Sequence, residues 1–282
     1  MKFSKHFILI SILYCFLIQI QCSAVAQQQI KIHSHNDYLN PVPFWTAFGS
    51  KAASIEVDLF LRNDSLFVAH EIENIIPSRT FQSLYLENIR KSCQLGLERH
   101  SYLLLVDLKT KAEPALKRLM EICEDYQDIL FSPSNPQGIK LVISGNRPPA
   151  DEYKNYPAFI MFDHQELESL KLLDLEKIEM VSLPFNRYSV WNGKGRIVAE
   201  EIKALKEVID AVHQVGKPIR FWATPDSKSA WKALHELGVD FINTDQPYEA
   251  NKYLGNLGDR LVIGQSKSDI YKPNFKFDGT QT

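Results

Sequence analysis

From residue 29 onward, short apolar runs rich in β-branched residues alternate with stretches whose apolar positions recur at helical spacing. The runs are Ile30–His35, Ser54–Leu61, Tyr102–Leu108, Ile139–Ser144, Ala158–Phe162, Glu179–Pro184, Pro218–Ala223 and Val239–Thr244. Runs this short and continuous suit parallel strands covered on both faces. Helical periodicity is clearest over Ala112–Tyr126, Ala199–Gln214 and Ser227–Leu237, and Gly216 and Gly238 stand where helix stops belong. Eight such strand–helix units follow one another without a Gly-, Pro- or Ser-rich linker or a visible repeat. The pattern predicts one α/β domain over residues 27–265, a single (β/α)8 TIM barrel. Asn63-Asp64-Ser65 followed by Leu66-Phe67-Val68 predicts a hairpin added to the second strand. Residues 266–282 form a polar tail with aromatics at Tyr271, Phe275 and Phe277 and no clear period.

The N-terminus departs from this pattern. Lys2, Lys5 and His6 precede an apolar run from Phe7 to Ile20, and Ala24-Val25-Ala26 offers small residues spaced for a signal peptidase. The run is shorter than the roughly 20 apolar residues that span a bilayer, so residues 1–26 are expected to be a cleaved signal peptide. The mature protein is then periplasmic or extracellular, with no stable membrane span. Cys15 and Cys22 leave with the signal, and Cys93 and Cys123, both in helical segments, are expected to be buried thiols. The 282 residues are 45% hydrophobic with a formal charge of −2, which excludes disorder and gives no field for a polyanion. A small partner is expected rather than nucleic acid.

In a barrel of this kind, residues two apart on a strand share a face, and reactive groups gather at the C-terminal strand ends. By this parity His33 and His35 pair on strand one, Glu56 and Asp58 on strand two, and Asp107 and Lys109 on strand three. Carboxylates crowded in a strand-like run raise each other's pKa unless a cation lies between them. Glu56, Asp58 and Asp107 make an all-oxygen set suited to one Mg²⁺ or Ca²⁺ rather than zinc. His35 and His70 reach the same mouth, where imidazoles can take and return a proton near pH 7. Arg147, after Ser144-Gly145-Asn146, could hold a phosphate bidentately. Trp222, ending the seventh strand, could wall the substrate. Two alternatives remain open. His33-Ser34-His35 also matches the H-x-H of amidohydrolase barrels that bind zinc, and a non-catalytic barrel could bind a phosphorylated ligand through the same groups.

The run His35-Asn36-Asp37-Tyr38, then Glu56-Val57-Asp58, Val68-Ala69-His70 and Asp107-Leu108-Lys109 resembles the glycerophosphodiester phosphodiesterase and phospholipase-like superfamily. Within it, Arg79 to Leu86, Arg220-Phe221-Trp222-Ala223-Thr224-Pro225-Asp226 and Asn243-Thr244-Asp245-Gln246-Pro247 are similar to the branch called altered inheritance of mitochondria protein 6-like. The resemblance implies His35 and His70 as the acid–base pair and Glu56, Asp58 and Asp107 as ligands of one Mg²⁺ or Ca²⁺. It implies Lys109 facing the phosphate of a small phosphodiester or lysophospholipid-type substrate, and Trp222 as a substrate wall. Glycerophosphodiesterases carry His-Arg where this chain has His35-Asn36, so Asn36 occupies a phosphate-binding position without its cation.

Overall fold

The computed structural model describes residues 30–97, 100–170 and 174–268. The expected signal peptide and the tail beyond residue 268 lie outside the described residues. Nine strands form one sheet: β1 (Lys31–Ser34), β2 (Ser54–Arg62), β3 (Ser65–Val68), β4 (Leu103–Leu108), β5 (Leu141–Gly145), β6 (Ile160–His164), β7 (Ile178–Pro184), β8 (Ile219–Trp222) and β9 (Phe241–Thr244). Eight are parallel, and β1 pairs with both β2 and β9, closing a (β/α)8 barrel with antiparallel β3 attached to β2. All eight predicted runs are strands.

The helices are α1 (Trp45–Gly49), α2 (Glu87–Gln94), α3 (Ala112–Cys123), α4 (Ala199–Gln214), α5 (Lys228–Leu237) and α6 (Pro247–Ser268). The Ser227 hydroxyl caps the start of α5 by accepting from the Ala230 amide, and Gly238, at φ 97°, takes the left-handed turn that ends it. After β5 the layer is thinner. Pro148-Pro149 disfavours a long helix there, and a short 3-10 stretch, Ala150–Asn155, lays Tyr153 flat on Phe162 at 3.6 Å.

Strand parity divides the barrel wall. Ile55, Val57, Leu104, Val106, Ile143, Phe162, Val181, Phe221 and Ile242 face outward and pack with helix residues such as Leu116, Leu119, Leu205, Val212, Trp231 and Leu234 in the main core. Each such side chain, fully buried, contributes about 1.5–3 kcal/mol. The opposite parity fills the interior in layers. Leu103, Leu105, Val142, Met161, Met180 and Phe241 form a separate apolar plug. Two residues further along the strands, the buried set becomes polar: His33, Glu56, Ser144, Asp163, Ser182, Arg220 and Asn243. A further step of two brings His35, Asp58, Asp107, Trp222 and Asp245 to the mouth, with Asp58 and Asp107 side by side in register.

The hairpin has a function in this layout. Arg62 pairs with Ser65, leaving Asn63 and Asp64 as a two-residue turn with φ 48° and 59°, the positive pair that a tight right-twisted hairpin needs. β3 therefore runs back toward the mouth and brings His70 beside Asp58. Cys93 and Cys123 are thiols. Cys123 is buried, which pushes its pKa up to about 12, and Cys93 is half-buried and bonds the Ile89 carbonyl.

Candidate metal and acid–base site

The three predicted carboxylates converge. Single oxygens of Glu56, Asp58 and Asp107 all lie within 4.8 Å of one another. Lys109 Nζ approaches Asp107 Oδ2 at 2.8 Å and Asp58 Oδ2 at 3.0 Å. Burial, opposed by Lys109 but reinforced by Asp107 and Glu56, pushes Asp58 up to about pKa 6. Its Oδ1 is buried and has no hydrogen-bond partner. An ionised carboxylate with an idle buried oxygen needs a cation, so these residues fit a hard divalent metal.

Gly145 makes the space for this cluster. A Cβ there would sit 1.9 Å from Asp107 Oδ1, and the residue holds φ 65°, a backbone region that costs little only for glycine. Gly145→Ala is expected to push Asp107 out of the cluster. Divalent-metal affinity should fall by about tenfold or more, read by titration calorimetry, together with a lower melting temperature. An unchanged affinity would remove Asp107 from the ligand set.

Each of the two histidines has a partner at Nδ1, a carboxylate for His35 and a hydroxyl for His70. His35, one-third exposed, places Nδ1 2.7 Å from Asp245 Oδ1, and Nε2 lies 3.9 Å from Glu56 Oε1. Burial lowers its pKa, but the Asp245 hydrogen bond and the Glu56 charge outweigh it, so the net shift is upward. His70, half-exposed, places Nδ1 3.5 Å from Asp58 Oδ2 and 3.1 Å from the Tyr38 hydroxyl.

His33 sits one layer deeper and is fully buried. Its Nδ1 bonds Ser54 Oγ at 2.7 Å and its Nε2 meets Glu56 Oε2 at 2.7 Å. Burial, with the Arg220 charge, brings its pKa down to about 3, so it is neutral. Both ring nitrogens are engaged, and His33 and His35 do not present a joint pair to one ion. Glu56 would be raised by burial, but the His33 hydrogen bond and the Arg220 charge hold it well below the usual carboxylate range.

Of the remaining predicted residues, Asn36 has left-handed backbone, and its Oδ1 lies 2.8 Å from the Tyr38 hydroxyl. Arg147 donates to the Asp163 carbonyl. Trp222 is partly exposed at the end of β8. Sequence reasoning gave no role to Arg220, although its parity with Trp222 placed it inside the barrel. Arg220 joins Glu56 at 2.8 Å, Ser182 at 3.0 Å and Asn243 at 3.1 Å, across 164 positions of chain in the first case. Tyr38 was legible only as a letter of the His35–Tyr38 run.

Residues 23–95 match the family described as AIM6-like phosphodiesterase domain, and residues 218–248 match the glycerophosphoryl diester phosphodiesterase family. These segments carry β1, β2, β3, β8 and β9, the strands around the site. A glycerophosphodiester phosphodiesterase from Parabacteroides distasonis superposes with TM-score 0.55 at 15% identity, covering 82% of this chain and 99% of its own. An Oleispira antarctica phosphodiesterase, solved with the product sn-glycerol-3-phosphate, gives TM-score 0.54 at 14% identity, covering 80% and 96%. Fold and matched segments support the glycerophosphodiester phosphodiesterase and phospholipase-like superfamily. Within it the matched segment supports the branch of altered inheritance of mitochondria protein 6. The Arthroderma benhamiae homolog of that protein is 26% identical over 79% of this chain and 83% of its own length. The Eremothecium gossypii protein is 23% identical over 79% and 69%.

Proposed function

We propose that this protein is an exported, metal-dependent phosphoric diester hydrolase acting on a small phosphodiester or lysophospholipid-type substrate. One observation carries the reading: Glu56, Asp58 and Asp107 crowd within 4.8 Å around an unpartnered buried Asp58 oxygen, beside two histidines each with Nδ1 next to a neighbouring side chain. Those three carboxylates would hold one Mg²⁺ or Ca²⁺, which supplies Lewis-acid neutralisation of the phosphoryl oxygens.

The chain's own groups do the rest. Lys109, kept protonated because its two carboxylate partners outweigh burial, meets negative charge on the phosphate. His35 Nε2 takes the proton of the attacking hydroxyl, from water or from a neighbouring group of the substrate, as its oxygen bonds to phosphorus. The phosphorus–oxygen bond to the alcohol breaks, and His70, entering the step as the imidazolium, gives its Nε2 proton to the departing alkoxide while Nδ1 keeps its own. Asn36, Arg147 and Trp222 would contact substrate. The Asp245 hydrogen bond, with the Glu56 charge, raises the pKa of His35 despite its burial, which supports His35 as the base.

The test is a screen of metal-stripped protein with Mg²⁺ or Ca²⁺ restored. It would include glycerophosphodiesters, lysophospholipids, inositol lipids and model diesters, followed by phosphorus NMR. Turnover that chelator abolishes and metal restores supports the proposal, and a cyclic phosphate signal would identify a substrate hydroxyl as nucleophile. Ligand binding without turnover under every metal would favour a binding barrel, and stoichiometric zinc on His33 and His35 would favour an amidohydrolase.

Metal binding should also be linked to protons. Asp58 must be ionised to act as a ligand and is raised to about pKa 6. Affinity for Mg²⁺ or Ca²⁺ is therefore expected to be steady above that value and to fall by roughly tenfold per pH unit below it. Calorimetric titrations between about pH 7.5 and 5 check this. A flat profile would exclude Asp58 as the proton-linked ligand.

A further inference from the structure

The geometry points to Tyr38 as the positioning residue for His70: we propose that its hydroxyl accepts the His70 Nδ1–H and donates its own proton to Asp58, so that Nδ1 keeps its proton and Nε2 is the nitrogen that takes up a proton and gives it to the leaving group. This deepens the acid–base reading above and rests on it only for the kinetic consequence.

A phenol has one proton to give. The Tyr38 hydroxyl has three partners in reach: Asp58 Oδ2 at 2.8 Å, Asn36 Oδ1 at 2.8 Å and His70 Nδ1 at 3.1 Å. The two oxygens only accept. Were His70 Nδ1 also an acceptor, three acceptors would compete for one proton and bare lone pairs would face each other. With the proton on Nδ1, nitrogen donates to the hydroxyl, and the charged carboxylate outcompetes the Asn36 amide oxygen for the one hydroxyl proton. The 3.5 Å approach of Nδ1 to Asp58 Oδ2 favours a proton on that nitrogen as well.

Tyr38 is built to hold and His70 is not. Tyr38 is 2% exposed, and its carbonyl receives Arg79. Its neighbour Asp37 is buried, with its carboxylate bonded to the Phe44 amide, the Tyr85 hydroxyl, Ser34 and Asn40. His70 is half-exposed at the end of β3, beside exposed Glu71. A rotatable surface imidazole therefore takes its orientation from a locked interior phenol. Burial and the Asp58 charge raise the Tyr38 pKa, so it stays a neutral phenol throughout. His35 is held by a carboxylate and His70 by a neutral hydroxyl.

Tyr38→Phe removes the hydroxyl and leaves the ring packed. The first readout needs no substrate: nitrogen-15 NMR of the imidazoles in the metal-loaded protein, with His70→Ala to assign the signal. At a pH where the imidazole is neutral, Nδ1–H is expected in the wild type, with a shift toward the Nε2–H tautomer in Tyr38→Phe, which shows that the hydroxyl no longer holds Nδ1. The second is kinetic, using two diesters that share one head group, with an alkyl or a p-nitrophenyl leaving group. In Tyr38→Phe, kcat should drop by about 10- to 100-fold on the alkyl diester with KM nearly unchanged. Turnover of the p-nitrophenyl diester, whose leaving group departs without a proton, should hold within a few fold. His70 found as the Nε2–H tautomer in the wild type, or unmoved by Tyr38→Phe, overturns the proposal. So does an equal loss on both diesters with weakened metal affinity, because the hydroxyl would then serve Asp58 alone. If the tautomer responds while His70→Ala keeps full turnover on both diesters, the positioning stands and the acid role of His70 falls.

Discussion

Replacing His35 or His70 by Ala is expected to lower turnover of an alkyl phosphodiester by about 10²- to 10⁴-fold, the usual range for one general acid or base. Neither change should disturb the fold. The side chains are 32% and 50% exposed and belong to no apolar cluster, so little packing is lost. Melting temperature and metal affinity should stay near wild type, which separates a chemical loss from a structural one. The double variant should be little worse than the poorer single variant, because two groups that move one proton each in one reaction act as a unit. Wild-type turnover in both single variants, on a substrate the protein does cleave, would end the acid–base assignment.

Arg220→Ala is expected to have the largest effect on stability. Arg220 is 4% exposed and is the positive partner of Glu56, itself 5% exposed. Removing one side of a buried pair leaves the other charge uncompensated, at a cost of about 3–5 kcal/mol. Ser182 and Asn243 lose a donor in the same step. The pH dependence follows from Glu56. Its pKa is depressed in the folded protein, so it contributes stability that is present above the ordinary glutamate range and lost as pH falls through the depressed value. Without Arg220 the part of that contribution that its charge supplies goes, while the His33 hydrogen bond remains. The gap between wild type and variant should be widest near neutral pH and narrow in acid, where Glu56 can be protonated. Denaturant titrations at several pH values check this, and a gap that does not change with pH would mean the loss is packing rather than charge.

The barrel was legible because its strands are short, apolar and evenly spaced, and all eight runs were found. The hairpin was legible from Asn63-Asp64, two residues that tolerate positive φ. Period-two parity grouped Glu56 with Asp58 and Asp107 with Lys109, and the structure brings these groups together. Parity put His33 and His35 on one face, with His33 one step deeper along the strand, and the structure locks His33 in the polar interior while His35 reaches the mouth.

What the sequence determined by itself is local: which segments are strands, which side chains turn inward, and that carboxylates, histidines and a lysine share one end. Only closure of the barrel decided who meets whom. It sets β1 against β9, bringing Asp245 to His35 across 210 positions, and places Arg220 against Glu56 across 164. The folded β3 hairpin and the locked loop after β1 likewise join His70 to Tyr38. Strand periodicity repeats within a few residues, whereas these partners are set by how strands pair around a ring, and no local pattern encodes that pairing.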